Sequence, residues 1–253
     1  MENTQEKYPN LISAEILADS LNQFGERLTT FKLVFPRIIL AEFNTHRMFN
    51  RNSASSRAIP LHKMVKAVEE NPFIPIAWQK EHTGMQGFEY FTTEQANEIY
   101  NTNEWVDGYL AKEAHVRNWL HARDKAIGMA VILNEGKVTK QLCNRLLEPF
   151  MWTTMLITGS REGWDNFFSL RSPEYHLENV PIVNEDLSLN SKTLTLVGKS
   201  KKELLKQINE IDNDSYTGFK TIINNYSDLD WLKLNKGQAE IHMMALAEEI
   251  YDA

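Results

Sequence analysis

The sequence predicts an α+β fold, a small antiparallel sheet with a helical majority. Three observations carry this. Two β-rich runs flank the turn-prone Gly25 near the start of the chain. A stripe of apolar residues at spacings of four and seven then runs through the middle, and the chain closes on an apolar-faced helix.

Glu15–Asp19 and Leu28–Phe35 read as the two strands of a hairpin, and Pro36 interrupts the second. The apolar run Ile38-Ile39-Leu40-Ala41 fits strand or helix, and a helix that delivers the following basic loop is favoured. Leu61–Glu70 is a short amphipathic helix ending before Asn71-Pro72. Residues 72–91 are rich in Pro, Gly and aromatics and read as an ordered loop, in which Trp78 is a candidate pocket residue. A long helix follows, N-capped by Thr92 or Thr93, with Trp105, Tyr109, Val116, Leu120, Ile127 and Val131 along one face. Lys140–Ile157 reads as helix, bent or restarted at Pro149, and Glu162–Leu170 as another. From Ser172 to Asn235 the composition shifts to Asn, Asp, Ser and Lys, which marks a surface insertion over 172–236 with its own helix near Lys201–Ile211. Gly237–Tyr251 closes a single domain spanning 1–253.

Composition bounds the function. A chain of 253 residues, 42% hydrophobic, can bury a substantial core. A formal net charge of -7 argues against a general nucleic-acid coat, so any anion is gripped locally. No apolar run approaches membrane-spanning length and residues 1–10 are polar, so a cytoplasmic protein is expected, without membrane or nucleic-acid partners. Cys143 is the only cysteine, which excludes a disulfide framework, and the histidines show no metal spacing. With Leu142 and Leu146 beside it, Cys143 reads as a buried, inert thiol.

Against this acidic background stands Asn44–Arg57, with Arg47, Arg51 and Arg57 among hydroxyls and amides. No acidic residue occurs from Asn44 to Val68. Arginine forks and short donors with few competing carboxylates are what a phosphate site requires. A second constellation is Lys140–Pro149, with Arg145 at helical spacing from Gln141, and a third is Arg161–Arg171.

These motifs, in order, resemble the flavin-dependent thymidylate synthase (ThyX) family. The family signature, Arg-His-Arg, then seven arbitrary residues, then Ser, falls on Thr45-His46-Arg47 and Ser55. Asn-Arg-x-x-x-Pro at Asn144–Pro149 and Asn-Phe-x-x-Leu-Arg at Asn166–Arg171 follow, and Gln238–Ile241 look like the family's final helix. The resemblance implies that Thr45, His46, Arg47, Arg161 and Asn166 lie at the flavin, FAD. It implies that Glu42, Ser55, Ser56, Arg57 and Arg145 hold a dUMP-like nucleotide. Arg171 would bind the pyrimidine and polarise it in catalysis. It further implies a one-carbon transfer to C5, with methylenetetrahydrofolate as donor and NADPH as reductant, in a homotetramer. Thr45 replaces the signature's first arginine and Ser53 a glutamate, and the family's N-terminal helical region has no counterpart before Phe31. A flavin- and folate-dependent hydroxymethylase or methylase of dUMP or another pyrimidine nucleotide is the alternative. A non-catalytic nucleotide- or nucleic-acid-binding protein is the rival from another class.

Overall fold

The structure is a computed structural model that describes residues 8–83, 87–100, 114–183, 189–211 and 223–253. Its fold class is α+β with a small antiparallel sheet, as the sequence predicts. The chain forms two compact units, residues 1–80 with 90–163 and residues 81–89 with 164–253. No helix among the described residues is long and apolar enough to cross a membrane.

The first unit opens with the predicted hairpin, β1 (Ser13–Leu21) against β2 (Arg27–Pro36). Gly25 takes φ 84° at the turn, which a side chain would strain. The Asn22 side chain accepts from the backbone N–H groups of Phe24 and Glu26. Phe31, Leu33 and Phe35 alternate inward along β2. After Pro36 the chain makes a 3-10 turn, Arg37–Ile39, and a short helix α1 (Leu40–Phe43), so the helical reading of the apolar run holds. A short strand β3 (Asn50–Ser53) lies inside the basic segment, followed by a 3-10 turn at Ser56–Ala58. The predicted helix is α2 (Leu61–Glu70), with Leu61, Met64 and Val68 buried along one face.

The next helices are α3 (Thr93–Tyr100) and α4 (Ala114–Glu135). Thr92 caps α3: its Oγ1 accepts from Gln95 N at 3.2 Å, and Gln95 Oε1 accepts from Thr92 N at 3.2 Å. Of the predicted stripe, Leu120 is buried, Val116, Ile127 and Val131 are half-buried, and Trp105 and Tyr109 lie outside the described residues. Trp78 packs on the rings of His115 and Trp119, at 5.3 and 5.9 Å between centroids.

The chain departs from expectation after Lys140. Helix α5 is only Lys140–Cys143, a 3-10 segment covers Asn144–Phe150, and Trp152–Ser160 is strand β4. The predicted helix to Ile157 is therefore corrected. Thr153, Met155, Ile157 and Gly159 point inward and Thr154, Leu156 and Ser160 outward, a period of two that a helix cannot satisfy. β4 is central in the sheet order β1-β2-β4-β3, so it joins the hairpin to the basic segment. Cys143 is fully buried in a cluster with Leu61, Met64, Val68 and Leu147, its Sγ 3.6 Å from the Val138 carbonyl. Leu142 and Leu146, expected to shield it, are 59% and 40% exposed.

Helix α6 (Arg161–Arg171) follows β4 directly. The second unit then holds a hairpin, β5 (Tyr175–Val183) and β6 (Leu189–Gly198), which the polar composition of 172–236 did not announce. Helix α7 (Lys201–Ile211) is as predicted, and α8 (Asp228–Leu234) carries a Ser227–Asp230 capping box. Tyr175, Leu177, Val180, Leu196, Leu204, Ile208 and Trp231 form its core. The closing helix α9 (Ile241–Asp252) buries Ile241, Met244, Ala247 and Ile250, with Ala245 half-buried.

Glu248 ties α9 to this hairpin unit. Its carboxylate accepts from Tyr175 Oη at 2.7 Å and from Lys201 N at 2.8 Å. Burial holds its carboxyl above the usual carboxylate range, and the Lys201 N–H and Tyr175 hydroxyl offset this only in part. A carboxyl with a raised folded pKa binds its proton more tightly folded than unfolded. Its contribution is therefore complete below the ordinary glutamate pKa and is lost as pH rises through the raised value. Glu248→Gln, which keeps an acceptor for Lys201 N, is expected to raise the melting temperature at pH 8 and to flatten its decline with pH. An unchanged melting profile between pH 4 and 8 contradicts this.

Candidate functional site

The low-acid segment is assembled in the first unit by the short elements at the end of the sheet. β3 pairs with β4 through Asn50↔Thr158, Arg51↔Ile157, Asn52↔Leu156 and Ser53↔Met155. Arg51 Nη1 donates to the carbonyls of Phe43 and His46 at 3.3 and 3.0 Å, so this arginine braces the loop. Thr45 Oγ1 donates to the Glu42 carbonyl at 2.7 Å, which closes the turn after α1. His46 is buried, its ring 6.3 Å from that of Phe43 and 6.4 Å from that of Phe49. Arg47 is exposed beside it.

The first turn of α6 packs on this loop. A β-carbon at Gly163 would stand 3.3 Å from the Phe49 ring and 3.5 Å from Met48 Cβ. Glycine therefore permits a close approach, and Ser160 Oγ accepts from Gly163 N at 3.3 Å. This draws the turn that carries Arg161 onto the His46–Phe49 segment. Arg47 on the loop and Arg161 in the first turn of α6 are both exposed, with the acidic Glu162 in the same turn.

A second grouping surrounds Glu148. Ser56 Oγ donates to Glu148 Oε1 at 2.6 Å, and Arg145 Nη1 stands 3.4 Å from Glu148 Oε2. Arg37 Nη2 lies 3.6 Å from Oε1, while its Nη1 donates to the Ala54 carbonyl and to Thr153 Oγ1 at 3.3 and 3.2 Å. Asn144, fully buried, donates through Nδ2 to the carbonyls of Ser56 and Ile59 at 2.7 and 2.9 Å. Lys140 Nζ donates to the Ala58 carbonyl at 3.2 Å. The Ser55–Ala58 turn is thus pinned from below by Asn144 and Glu148. Arg57 and Arg145 are both exposed.

No protein-family model and no curated protein matches the chain. Among solved structures it is similar to a UMP/dUMP methylase, PolB from Streptomyces cacaoi, bound with 5-Br UMP. The identity is 13% and the TM-score 0.47, over 87% of this chain and 98% of that one. A structure of PolB bound with 5-Br dUMP gives 12% identity and a TM-score of 0.39, over 76% of this chain and 71% of that one.

Of the residues singled out from sequence, the structure brings Ser55, Ser56, Arg57 and Arg145 into one neighbourhood, and His46, Arg47 and the Arg161 turn into another. Glu42 is half-buried at the end of α1, one turn before His46. Asn166 and Arg171 lie on the part of α6 that belongs to the second unit. There Phe167 is fully buried against Trp164 and Phe168, with Asn166 exposed and Arg171 half-buried. Sequence reasoning passed over Arg37, Asn144 and Glu148 as site residues. The signal for Glu148 was present, since it is the acid in an otherwise basic Lys140–Pro149 motif.

Proposed function

We propose that the chain is an enzyme of the flavin-dependent thymidylate synthase type, which binds FAD and adds a one-carbon unit to C5 of a dUMP-like pyrimidine nucleotide. The single observation that supports this best is the convergence of the Ser55–Arg57 turn and Arg145, from two motifs far apart in sequence, on one rigid frame. Arg57 and Arg145 hold the nucleotide phosphate, with Ser55 and the turn amides as short donors. His46, Arg47, Arg161 and Asn166 hold FAD, which supplies reducing equivalents when bound, with NADPH as reductant and methylenetetrahydrofolate as carbon donor. Arg171 binds the pyrimidine edge and stabilises negative charge as C5 becomes nucleophilic. No enzyme nucleophile is needed, in keeping with the buried Cys143. The working enzyme is a cytoplasmic homotetramer in this reading.

A second reading has one specific observation in its favour. Thr45 stands where the family signature has an arginine, and its hydroxyl is committed to the Glu42 carbonyl. It supplies neither a cation nor a free donor to substrate, which suits a different pyrimidine nucleotide or a hydroxymethyl product. Purified protein incubated with dUMP, methylenetetrahydrofolate, FAD and NADPH, followed by mass spectrometry of the nucleotide, separates these. A gain of a methyl group supports the first reading and a gain of a hydroxymethyl group the second. A colourless protein that FAD does not reconstitute, yet which binds nucleotide, is a binding protein and overturns both.

Arg57→Ala and Arg145→Ala are expected to weaken dUMP binding while leaving FAD affinity unchanged. A charge-assisted contact to phosphate is worth about 1.5–3 kcal/mol, so each loss is roughly ten- to hundredfold. Calorimetric titration showing wild-type dUMP affinity in both variants removes the phosphate assignment.

A further inference from the structure

Glu148 is out of place by simple electrostatics. A carboxylate within 3.4 Å of Arg145 opposes any phosphate that this arginine is meant to bind. Yet it is among the most firmly held side chains of the region. Its side chain is only 22% exposed, and Arg37, itself 15% exposed, provides a fixed counter-charge anchored on Thr153 of the central strand β4. From that anchor it accepts the Ser56 hydroxyl, whose residue is 2% exposed, through a short charge-assisted bond. Its other oxygen faces one nitrogen of Arg145, a side chain 56% exposed that has no other partner among the described residues.

We propose that Glu148 is the positioning residue of the anion site. It fixes the Ser56 turn and aims the Arg145 guanidinium, with Arg37 holding it in place. This rests on the reading of Arg145 and the serine turn as the phosphate site. An exposed arginine samples many rotamers, and ordering it on binding is costly. A carboxylate that engages one nitrogen restricts the fork while leaving its remaining donors for the ligand. The gain in order outweighs the like-charge repulsion, because Arg37 already neutralises much of the Glu148 charge.

The two effects have opposite signs, and titration of the full-length protein with dUMP distinguishes them. Glu148→Gln removes the charge and Glu148→Asp keeps it but withdraws the carboxylate by one methylene. If positioning dominates, both variants bind dUMP about three- to tenfold more weakly than wild type, and in an Arg145→Ala background each costs clearly less, only the part that acts through the Ser56 turn remaining. If charge dominates, Glu148→Gln binds more tightly and Glu148→Asp binds as wild type, which overturns the inference. Equal loss in the Arg145→Ala background also overturns it, because Glu148 would then not act through Arg145. Melting temperatures of the same preparations show whether a loss of affinity is only a loss of fold. If Glu148→Gln does not fold, Glu148→Asp carries the comparison alone. Wild-type protein that binds neither dUMP nor inorganic phosphate removes the site reading and the inference together, an outcome distinct from failure of the inference alone.

Discussion

Asn144→Ala is expected to destabilise the protein by about 3–5 kcal/mol. The Asn144 side chain is fully buried and donates to two carbonyls, those of Ser56 and Ile59. Alanine removes both N–H donors and leaves one buried and one half-buried carbonyl unmatched, at a cost of about 1–3 kcal/mol each. For a chain of this size the loss corresponds to a melting temperature lower by roughly 10 °C. Urea unfolding monitored by tryptophan fluorescence measures it, and a change under 1 kcal/mol would show that the amide is not what holds the turn. Asn144→Asp is expected to be no better, because a carboxylate accepts and cannot donate.

Arg171→Ala is expected to lower turnover about a hundred- to a thousandfold, with a much smaller change in nucleotide affinity. A fixed guanidinium that meets charge developing only in the transition state appears in kcat rather than in ground-state binding, and loss of one preorganised donor has about this magnitude. Arg171 ends helix α6, whose Phe167 is fully buried, and is itself half-buried. Arg171→Lys should recover only part of the rate, since an ammonium lacks the planar fork. An arginine that serves only the end of the helix gives the opposite pattern, a lowered melting temperature with wild-type kcat. Measuring both on one preparation decides between them.

The hairpin, the helices and the basic segment were legible because each is specified locally. Gly25 between two β-rich runs, the i, i+3, i+7 face of Leu61, Met64 and Val68, and the absence of acids from Asn44 to Val68 need no distant partner to be read. What was not legible depends on distant partners. Trp152–Ser160 is apolar enough for a helix, and only pairing with β2 on one side and β3 on the other selects the strand. Likewise β5 and β6 look like polar loop until they pair with each other. Arg37 is unremarkable in sequence, and its role exists only once β4 brings Thr153 and Ala54 to the same end of the sheet.

The seating of β3 against β4 also sets an order of events during synthesis. Asn50–Ser53 leaves the ribosome about a hundred residues before Met155–Thr158, the stretch that gives it a register. Until then the basic loop has no edge to lie on, and the chain must close a very long gap before that contact forms. The nascent protein therefore carries its arginine-rich segment without a strand partner while about a hundred further residues are made. In that interval it is open to any polyanion nearby, the ribosome's own RNA included.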